Sequence, residues 1–203
     1  PEENNPVEAP IADPSTVEPN KPAILWNPDT VNLKSGNNIN FQVQGDNTWL
    51  ATATETAVFF SLGAKRAWSY NATDFPVFGI MVKNLWIDSG TLWYAAGEIP
   101  GATNGYTVPF SIYDGEFYGE DEEYILGVVD MADLALIDET NPGRIHNIRP
   151  FFSVTDTTDL EMCQWAMCYL GYFRSIEAAQ AYTSARLSME PETEAPTEEK
   201  TEA

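Results

Sequence analysis

The fold is decided by FPVFGIMVKNLWI, from Phe75 to Ile87, and by CQWAMCYLGYF, from Cys163 to Phe173. The first stretch is apolar on both faces of an extended chain as far as Lys83, and the second carries no charge on either face. Strands that are buried on both faces have this pattern, whereas a strand with one solvated face alternates apolar and polar residues. We therefore predict two central strands that a loop or helix covers on the outer side.

Short runs rich in β-branched and aromatic residues surround these stretches, and Gly, Asn, Asp and Pro separate the runs. Such runs predict strands joined by turns, and many strands without helices between them favour two packed antiparallel sheets. We therefore predict an all-β fold, a two-sheet antiparallel β-sandwich with a short C-terminal helix. The predicted strands are Ile39 to Gln44, Trp49 to Thr54, Val58 to Leu62, Ala67 to Tyr70, Val77 to Lys83, Thr91 to Ala96, Tyr106 to Tyr113, Tyr124 to Val129, Ile145 to Val154 and Met162 to Phe173.

The residues after the second stretch are a candidate for the element that covers a central strand. Ser175 has the side chain of a helix N-cap. The segment IEAAQAYTSA that follows places Ile176, Ala179 and Tyr182 on one side of a short helix. A second helical turn is predicted from Met131 to Asp138.

The two cysteines, Cys163 and Cys168, lie five residues apart within one predicted strand. At about 3.3 Å per residue their Cα atoms are roughly 17 Å apart, with the side chains on opposite faces, which a disulfide does not bridge. We expect two buried free thiols. An isolated pair at this spacing does not match a metal-binding motif.

Composition changes sharply at both ends of the chain. Residues 1–22 contain six prolines and five carboxylates, and residues 187–203 are mostly Pro, Glu, Thr and Ala. Such segments bury too little apolar surface to offset the entropy of ordering them. We predict disordered linkers at 1–22 and 187–203 around a β-sandwich module at 23–186. Linkers of this composition are typical of secreted or surface-attached proteins in which neighbouring domains are covalently linked.

The chain of 203 residues has a formal net charge of −21 and a pI near 4.1. The predicted module alone carries twenty acidic and eight basic residues. Phosphate backbones and anionic lipids require Lys and Arg patches, so nucleic-acid binding and membrane-surface binding are disfavoured. No stretch approaches the 18 or so apolar residues of a spanning helix, and we predict no membrane insertion.

Five motifs from Phe75 onward, about half of the chain, resemble a known family in their order. They are FPVFGIMVKN at 75–84, LWYAAGE at 92–98, YILGVVDMADL at 124–134, RIHNIRPFF at 144–152 and MCYLGYFRSIEAAQAY at 167–182. The family is an extracellular jelly-roll module of multidomain surface proteins from anaerobic gut bacteria, similar to carbohydrate-binding and galactose-binding-like domains. The resemblance implies a jelly-roll β-sandwich beside glycosidases, adhesive domains or cell-wall anchors. The closing strand departs from the family, because Cys163, Trp165, Met167 and Cys168 stand where the family has aliphatic residues and an Asp.

Sugar recognition in jelly rolls combines an aromatic ring against the apolar face of a pyranose with polar groups that bind its hydroxyls. Four rings lie next to turns and polar residues, where a ligand is more accessible than inside a strand: Trp49, Trp68, Tyr70 and Trp86. We predict these as carbohydrate-binding residues, the alternative for each being packing against a sheet. Trp93 and Trp165 lie deep in apolar strands, and we expect them to pack in the sheets.

The acidic run from Glu120 to Glu123, near Asp114 and Glu116, offers oxygen ligands that suit calcium. Its spacing matches no calcium loop, and an acidic run before a strand more often protects a solvated sheet edge. We predict no cofactor, with one structural calcium ion as the alternative.

The sequence disfavours an enzyme. His146 is the only histidine, and no nucleophile-elbow, zinc-protease or phosphate-loop motif occurs. Paired carboxylates for glycoside hydrolysis are set in space rather than in sequence, so they remain a further alternative. We predict a non-catalytic extracellular module that binds a polysaccharide or other glycan. The main alternative is a spacer or adhesion module that has no glycan ligand.

Overall fold

The computed structural model describes residues 13–62, 70–71, 73–85, 87–96, 105–132 and 144–189. Most of these residues form strands. They are β1 (Ile24–Trp26), β2 (Ser35–Gly36), β3 (Ile39–Val43), β4 (Trp49–Ala53), β5 (Ala57–Phe59), β6 (Tyr70–Asn71), β7 (Val77–Lys83), β8 (Ile87–Ala96), β9 (Gly105–Phe110), β10 (Glu116–Tyr118), β11 (Tyr124–Asp130), β12 (Arg144–Val154) and β13 (Gln164–Phe173). Two α-helices in the same ranges are α1 (Leu160–Cys163) and α2 (Ile176–Ser188).

Within the described ranges the strands form two sheets. The larger sheet has the order β10-β11-β7-β13-β4-β3-β2, with β1 also paired to β13. The smaller sheet has the order β5-β12-β8-β9, with β6 also paired to β12. Every one of these pairs is antiparallel. The prediction of a two-sheet antiparallel β-sandwich with a short C-terminal helix is confirmed.

The core lies between the two sheets. Alternation along each strand sends every second side chain inward, so Ile80 and Leu170 of the larger sheet meet Leu92 and Ile148 of the smaller sheet. Aromatic rings from both sheets fill the space. The ring centroids of Phe152 and Trp165 are 6.1 Å apart, in an edge-to-face arrangement. Contacts of this kind add to the free energy of burying the rings.

Strand β13 is buried on both faces, as its uncharged sequence predicts. One face contributes Leu170 to the core, and the other face packs under α2 through Cys168, Tyr169 and Phe173. A register shift between Met167 and Tyr169 lets two successive residues face the helix, which explains the imperfect alternation.

Helix α2 begins where the sequence places it. The Ser175 side chain accepts a hydrogen bond from the backbone N–H of Ala178 at 3.2 Å. Thr183 is fully buried, and its hydroxyl lies 2.5 Å from the Tyr169 hydroxyl and 2.8 Å from the carbonyl of Ala179. The predicted helix that covers a central strand is thus present, and this buried polar pair fixes its position over β13.

Residues 13–22, which composition assigns to the N-terminal linker, contact the body. The Arg174 guanidinium donates hydrogen bonds to the carbonyls of Pro14 and Val17, the second at 3.0 Å, and lies 4.8 Å from the Phe75 ring. Lys21 lies 5.8 Å from the Tyr182 ring of α2. Helix α2 itself continues to Ser188, past the predicted start of the second linker at residue 187.

Several boundaries differ from the predicted ones. Gln164 rather than Met162 begins β13, because the Asp159 side chain caps a helical turn by accepting a hydrogen bond from the N–H of Glu161 at 3.0 Å. Strands β1, β2 and β10 were not predicted, because each is too short to give a recognisable pattern in the sequence. Most of the helical turn predicted from Met131 to Asp138, and the predicted strand positions 67–69, lie outside the described residues. Neither of the described helices has the length and apolar character that a bilayer crossing requires.

Both cysteines are buried and free, as predicted. They do not share a strand, however: Cys163 ends α1, and Cys168 lies in β13. Burial raises the pKa of Cys163 above its usual value and the pKa of Cys168 to about 12. Both thiols therefore stay protonated at neutral pH, where the protonated form is a poor nucleophile.

We expect neither thiol of the native protein to react with Ellman's reagent over minutes at pH 8. Burial keeps the reagent away from the sulfur and disfavours the thiolate, which is the reactive form. Both should react when the protein is unfolded in guanidinium, which is the internal control. Stoichiometric reaction of the native protein would contradict the burial described above.

The two sheets also meet at one edge, where Asn37 pairs with Phe59 of β5. The N–H of Asn37 donates to the carbonyl of Phe59 at 2.8 Å, and the N–H of Phe59 donates back at 3.2 Å. This close approach requires a glycine beside it, because a Cβ at Gly36 would lie 2.4 Å from the Phe59 carbonyl oxygen.

We expect Gly36→Ala to lower the free energy of unfolding by about 2 kcal/mol, since the added methyl must displace backbone atoms. Gly45→Ala is the matched control, because a Cβ at Gly45 meets nothing within 4 Å. Urea denaturation measures the free energy of unfolding of both variants. Equal values would contradict this expectation, because the two sheets would then accommodate the added methyl at residue 36 without a loss of stability.

Candidate functional site

The outer face of the smaller sheet carries half-buried and exposed side chains. Alternation along β12 sends Ile148 and Phe152 into the core and turns Arg149 and Phe151 outward. The other outward side chains described on this sheet and the residues that continue it are Ala57, Phe59, Ser61, Thr91, Trp93, Thr107, Pro109 and Ser153. These positions form a continuous surface rather than isolated exposures.

Strand register brings the larger of these side chains together. Trp93 of β8 lies directly opposite Arg149 of β12, and Ser61 lies on the other side of Arg149. In the next row Phe151 is paired with Phe59 of β5. Strands β8 and β5 flank β12, so their backbones are about 10 Å apart across the face.

The side chains in these two rows contact one another. The rings of Phe59 and Phe151 have centroids 4.8 Å apart and an interplanar angle of 33°. The Arg149 guanidinium lies 4.5 Å from the Trp93 ring and 5.2 Å from the Phe59 ring, and its Nε donates to the Ser61 hydroxyl at 3.2 Å. We call Phe59, Trp93, Arg149 and Phe151 the aromatic face.

A groove of about 290 Å³ runs along one side of the aromatic face. It lies between the Phe59 and Phe151 rings and the turn at Asn37 and Asn38. The backbone of Asn38 has φ 59°, a left-handed conformation that Asn tolerates, and its side-chain amide donates to the carbonyl of Ala57 at 3.0 Å. Thr91 and Ser153 add hydroxyl-bearing side chains to the lining. The groove thus combines rings with neutral hydrogen-bonding groups.

The electrostatics of this face differ from those of the whole chain. None of the outward side chains described on the smaller sheet is a carboxylate, although the chain contains 31 acidic residues. Among the described residues, the contacts of the Arg149 guanidinium are two rings and one hydroxyl. The described side chains of this surface therefore carry a net positive charge.

Trp49 does not lie on a ligand surface. It begins β4 with no exposed area and belongs to the core, and its indole nitrogen has no hydrogen-bond partner among the described residues. The turn just before it suggested exposure, but the buried and half-buried alternation of β4 turns this first residue inward. The expectation that Trp49 stacks on a sugar is corrected by this burial.

The other three predicted site residues are described in part or not at all. Trp68 and Trp86 lie outside the described residues. Only the backbone of Tyr70 is described, in β6, where it pairs with Ile145 of β12. Tyr70 therefore belongs to the same sheet as the aromatic face, at the opposite end of β12 from Phe151.

The sequence analysis missed the residues of the aromatic face. Trp165 packs in the core as expected, with 2% of its surface exposed, but Trp93 is half-buried on the outer face. The signal was the alternation Leu92-Trp93-Tyr94, in which the two flanking residues are buried. Arg149 and Phe59 were not identifiable as neighbours, because 90 residues separate them in the sequence.

The acidic run at Glu120–Glu123 lies in the turn between β10 and β11, at the edge of the larger sheet. The Glu123 carboxylate accepts a hydrogen bond from the N–H of Asp121 at 3.3 Å. No group of three or more His, Cys, Asp or Glu side chains in the described ranges is arranged to hold a metal ion. The side chain of His146 lies outside those ranges.

No protein-family model matches the chain. No curated protein matches it either. The fold is similar to that of CBM86, a low-affinity xylan-binding module from the gut symbiont Roseburia intestinalis, with TM-score 0.42 and 10% identity over 77% of this chain and 98% of the other. It is also similar to CsCBM6-3 of Clostridium stercorarium in complex with cellobiose, with TM-score 0.39 and 11% identity over 75% and 94%. A family 6 carbohydrate-binding module gives TM-score 0.37 and 12% identity over 75% and 94%. These values limit the likeness to the β-sandwich fold, and nothing about the ligand of this chain follows from them.

The two tryptophans are expected to respond differently to truncation. Trp49→Ala should lower the free energy of unfolding by about 3–5 kcal/mol, because it empties a core position. Trp93→Ala should cost about 1 kcal/mol, the scale of a cross-strand pair on a sheet surface. Guanidinium denaturation of both variants tests this, and a larger cost at Trp93 than at Trp49 would reverse the assignment of core and surface.

Proposed function

We propose that the domain is a non-catalytic carbohydrate-binding module that holds a glycan against the aromatic face of the smaller sheet. The observation that carries the proposal is the grouping of three half-buried rings, Phe59, Trp93 and Phe151, around Arg149 on one sheet face. A group of apolar side chains on an outer surface, rimmed by polar residues, is typical of a binding site. A pyranose offers a flat apolar face of C–H groups, which a ring can cover.

Polar groups beside the rings supply the hydrogen bonds that ring stacking does not provide. Asn37, Asn38, Thr91 and Ser153 line the groove next to Phe151 with amide and hydroxyl groups. Both kinds of group donate and accept hydrogen bonds, as sugar hydroxyls require. The combination of apolar rings with a few polar groups is typical of small-molecule sites.

The shape of the site supports weak binding of an extended chain. A volume of about 290 Å³ lies just below the range for ligand pockets, which begins at roughly 300 Å³. All four residues of the aromatic face lie within paired strands, so little conformational entropy is lost when a ligand binds. We therefore expect a rigid, shallow site of modest affinity.

A binding role fits this face better than catalysis. Glycoside hydrolysis uses a pair of carboxyl groups beside the scissile bond. The outward side chains described on the smaller sheet include no carboxylate. The hydrolase alternative would need carboxyl groups from residues other than these described side chains.

The proposal includes the setting and the rest of the site. The Pro, Glu and Thr-rich segments at both ends support an extracellular module joined covalently to neighbouring domains. Tyr70 extends the same sheet beyond the aromatic face, and we include Tyr70, Trp68 and Trp86 as further carbohydrate-binding residues.

We expect affinity gel electrophoresis in a panel of soluble polysaccharides to retard the protein in at least one gel. Trp93→Ala should lose that retardation, because truncating a central aromatic side chain costs about 2 kcal/mol of binding free energy or more. That loss is roughly 30-fold in dissociation constant. Running each gel with calcium and with a chelator tests the alternative of a structural calcium ion.

Phe117→Ala is the matched control, since Phe117 is 43% exposed on β10, at the edge of the larger sheet. This variant should bind like the wild type. Retention of Trp93→Ala equal to that of the wild type would move the site away from the aromatic face. Failure of every polysaccharide to retard the wild type would favour the spacer role.

A further inference from the structure

We infer that the aromatic face selects an acidic glycan, in which the pyranose rings carry a carboxylate or a sulfate ester that pairs with Arg149. The inference rests on the proposed function, because it concerns the ligand of the same face. It goes further in assigning a charge to the ligand. The reasons lie in the donors of Arg149, in its position and in the charges around it.

Arg149 retains unused hydrogen-bonding capacity. A guanidinium has five N–H donors, and the described residues accept from Nε, through the Ser61 hydroxyl at 3.2 Å. The rings at 4.5 and 5.2 Å attract the positive charge through their electrons and offer no oxygen or nitrogen acceptor to the N–H groups. The two Nη atoms form the fork that binds a carboxylate or a phosphate-like oxyanion through two parallel hydrogen bonds.

The position of Arg149 suits a substituent of a bound sugar. Its guanidinium lies between Trp93 and Phe59, the two rings expected to hold adjacent parts of the glycan. Ser61 and the two rings fix the side chain in one place, so binding does not have to order a free arginine. An anionic group projecting from a stacked sugar therefore meets a positive charge that is already positioned.

Neutral sugar hydroxyls would use this charge less well. A hydroxyl accepts a single hydrogen bond from the guanidinium, whereas an oxyanion such as a carboxylate accepts two parallel bonds from the two Nη atoms and neutralises the charge. Among the described side chains on the outward side of the sheet, none is a carboxylate that could be the ionic partner of Arg149. An anion on the ligand would supply that partner.

The net charge of −21 opposes an acidic ligand at long range. At physiological ionic strength, however, charges are screened over about 8 Å. The local charge near Arg149 then outweighs acidic groups on distant parts of the surface. Binding of the acidic glycan should also weaken as salt is added, whereas binding of a neutral glycan through the rings should not.

The experiment compares each acidic polysaccharide with its own uncharged form. Polygalacturonate, alginate and glucuronoxylan are paired with their carboxyl-reduced products, and a sulfated galactan is paired with its desulfated product. Affinity electrophoresis and calorimetry at two salt concentrations measure binding of the wild-type protein. The carboxyl pairs and the sulfate pair tell the two sources of negative charge apart.

We expect at least one acidic form to bind roughly 10-fold to 100-fold more tightly than its uncharged product, the scale of a charge-assisted hydrogen bond. Arg149→Gln should abolish that preference, so that the acidic form and its uncharged product bind the variant with equal affinity. Arg149→Lys keeps the charge without the fork and should keep part of the preference. Thermal melts check that both variants fold, and the comparison of ligands on the wild type needs no variant.

The outcomes separate this inference from the proposed function. Equal binding of every acidic polysaccharide and its uncharged product would overturn the inference and leave a neutral-glycan module. A preference for the acidic form that survives Arg149→Gln would also overturn the inference, because a group other than Arg149 would then bind the negative charge. Binding of neither form of any polysaccharide would count against the proposed function itself.

Discussion

The burial of β13 on both faces is the constraint from which the rest of this architecture follows. A strand with no charged residue between Gln164 and Phe173 needs apolar cover on each side. The smaller sheet covers one side and α2 covers the other, with the Tyr169 and Thr183 hydroxyls paired between them. The outer side of the larger sheet is thereby occupied over its central strands. Among the described residues, the rings of the aromatic face lie on the other outer surface, that of the smaller sheet.

The two sheets therefore have different roles. In the central strands of the larger sheet, β7 and β13, apolar side chains on both faces stabilise the fold, and a buried hydroxyl pair fixes the helix. In the smaller sheet, alternation is regular, so Phe152 serves the core while Phe151 and Arg149 face outward. Because inward neighbours hold these strands, the outward rings keep their spacing without a ligand. The affinity we propose arises from this rigidity rather than from a deep pocket.

Sequence patterns predicted the parts of the molecule that depend on local chemistry. The doubly buried strand, the Ser175 cap and the free thiols follow from runs of neighbouring residues, and the structure confirms them. Trp49 was misplaced because a nearby turn says little about which face of a strand its first residue occupies. The site was missed because its rings come from β5, β8 and β12, which register alone brings together. No local pattern shows that Arg149 contacts Phe59.

The contacts of the two ends of the described chain have a mechanical consequence. Strand β1 is paired with β13, Ile24 opposite Tyr172, while Arg174 holds the backbone at Pro14 and Val17. Helix α2 packs on the same central strand. Tension applied through the flanking segments is thus borne by β13 and its immediate neighbours. The strands that carry the rings lie outside this path, so tension on the flanking segments does not act directly on the spacing of the rings.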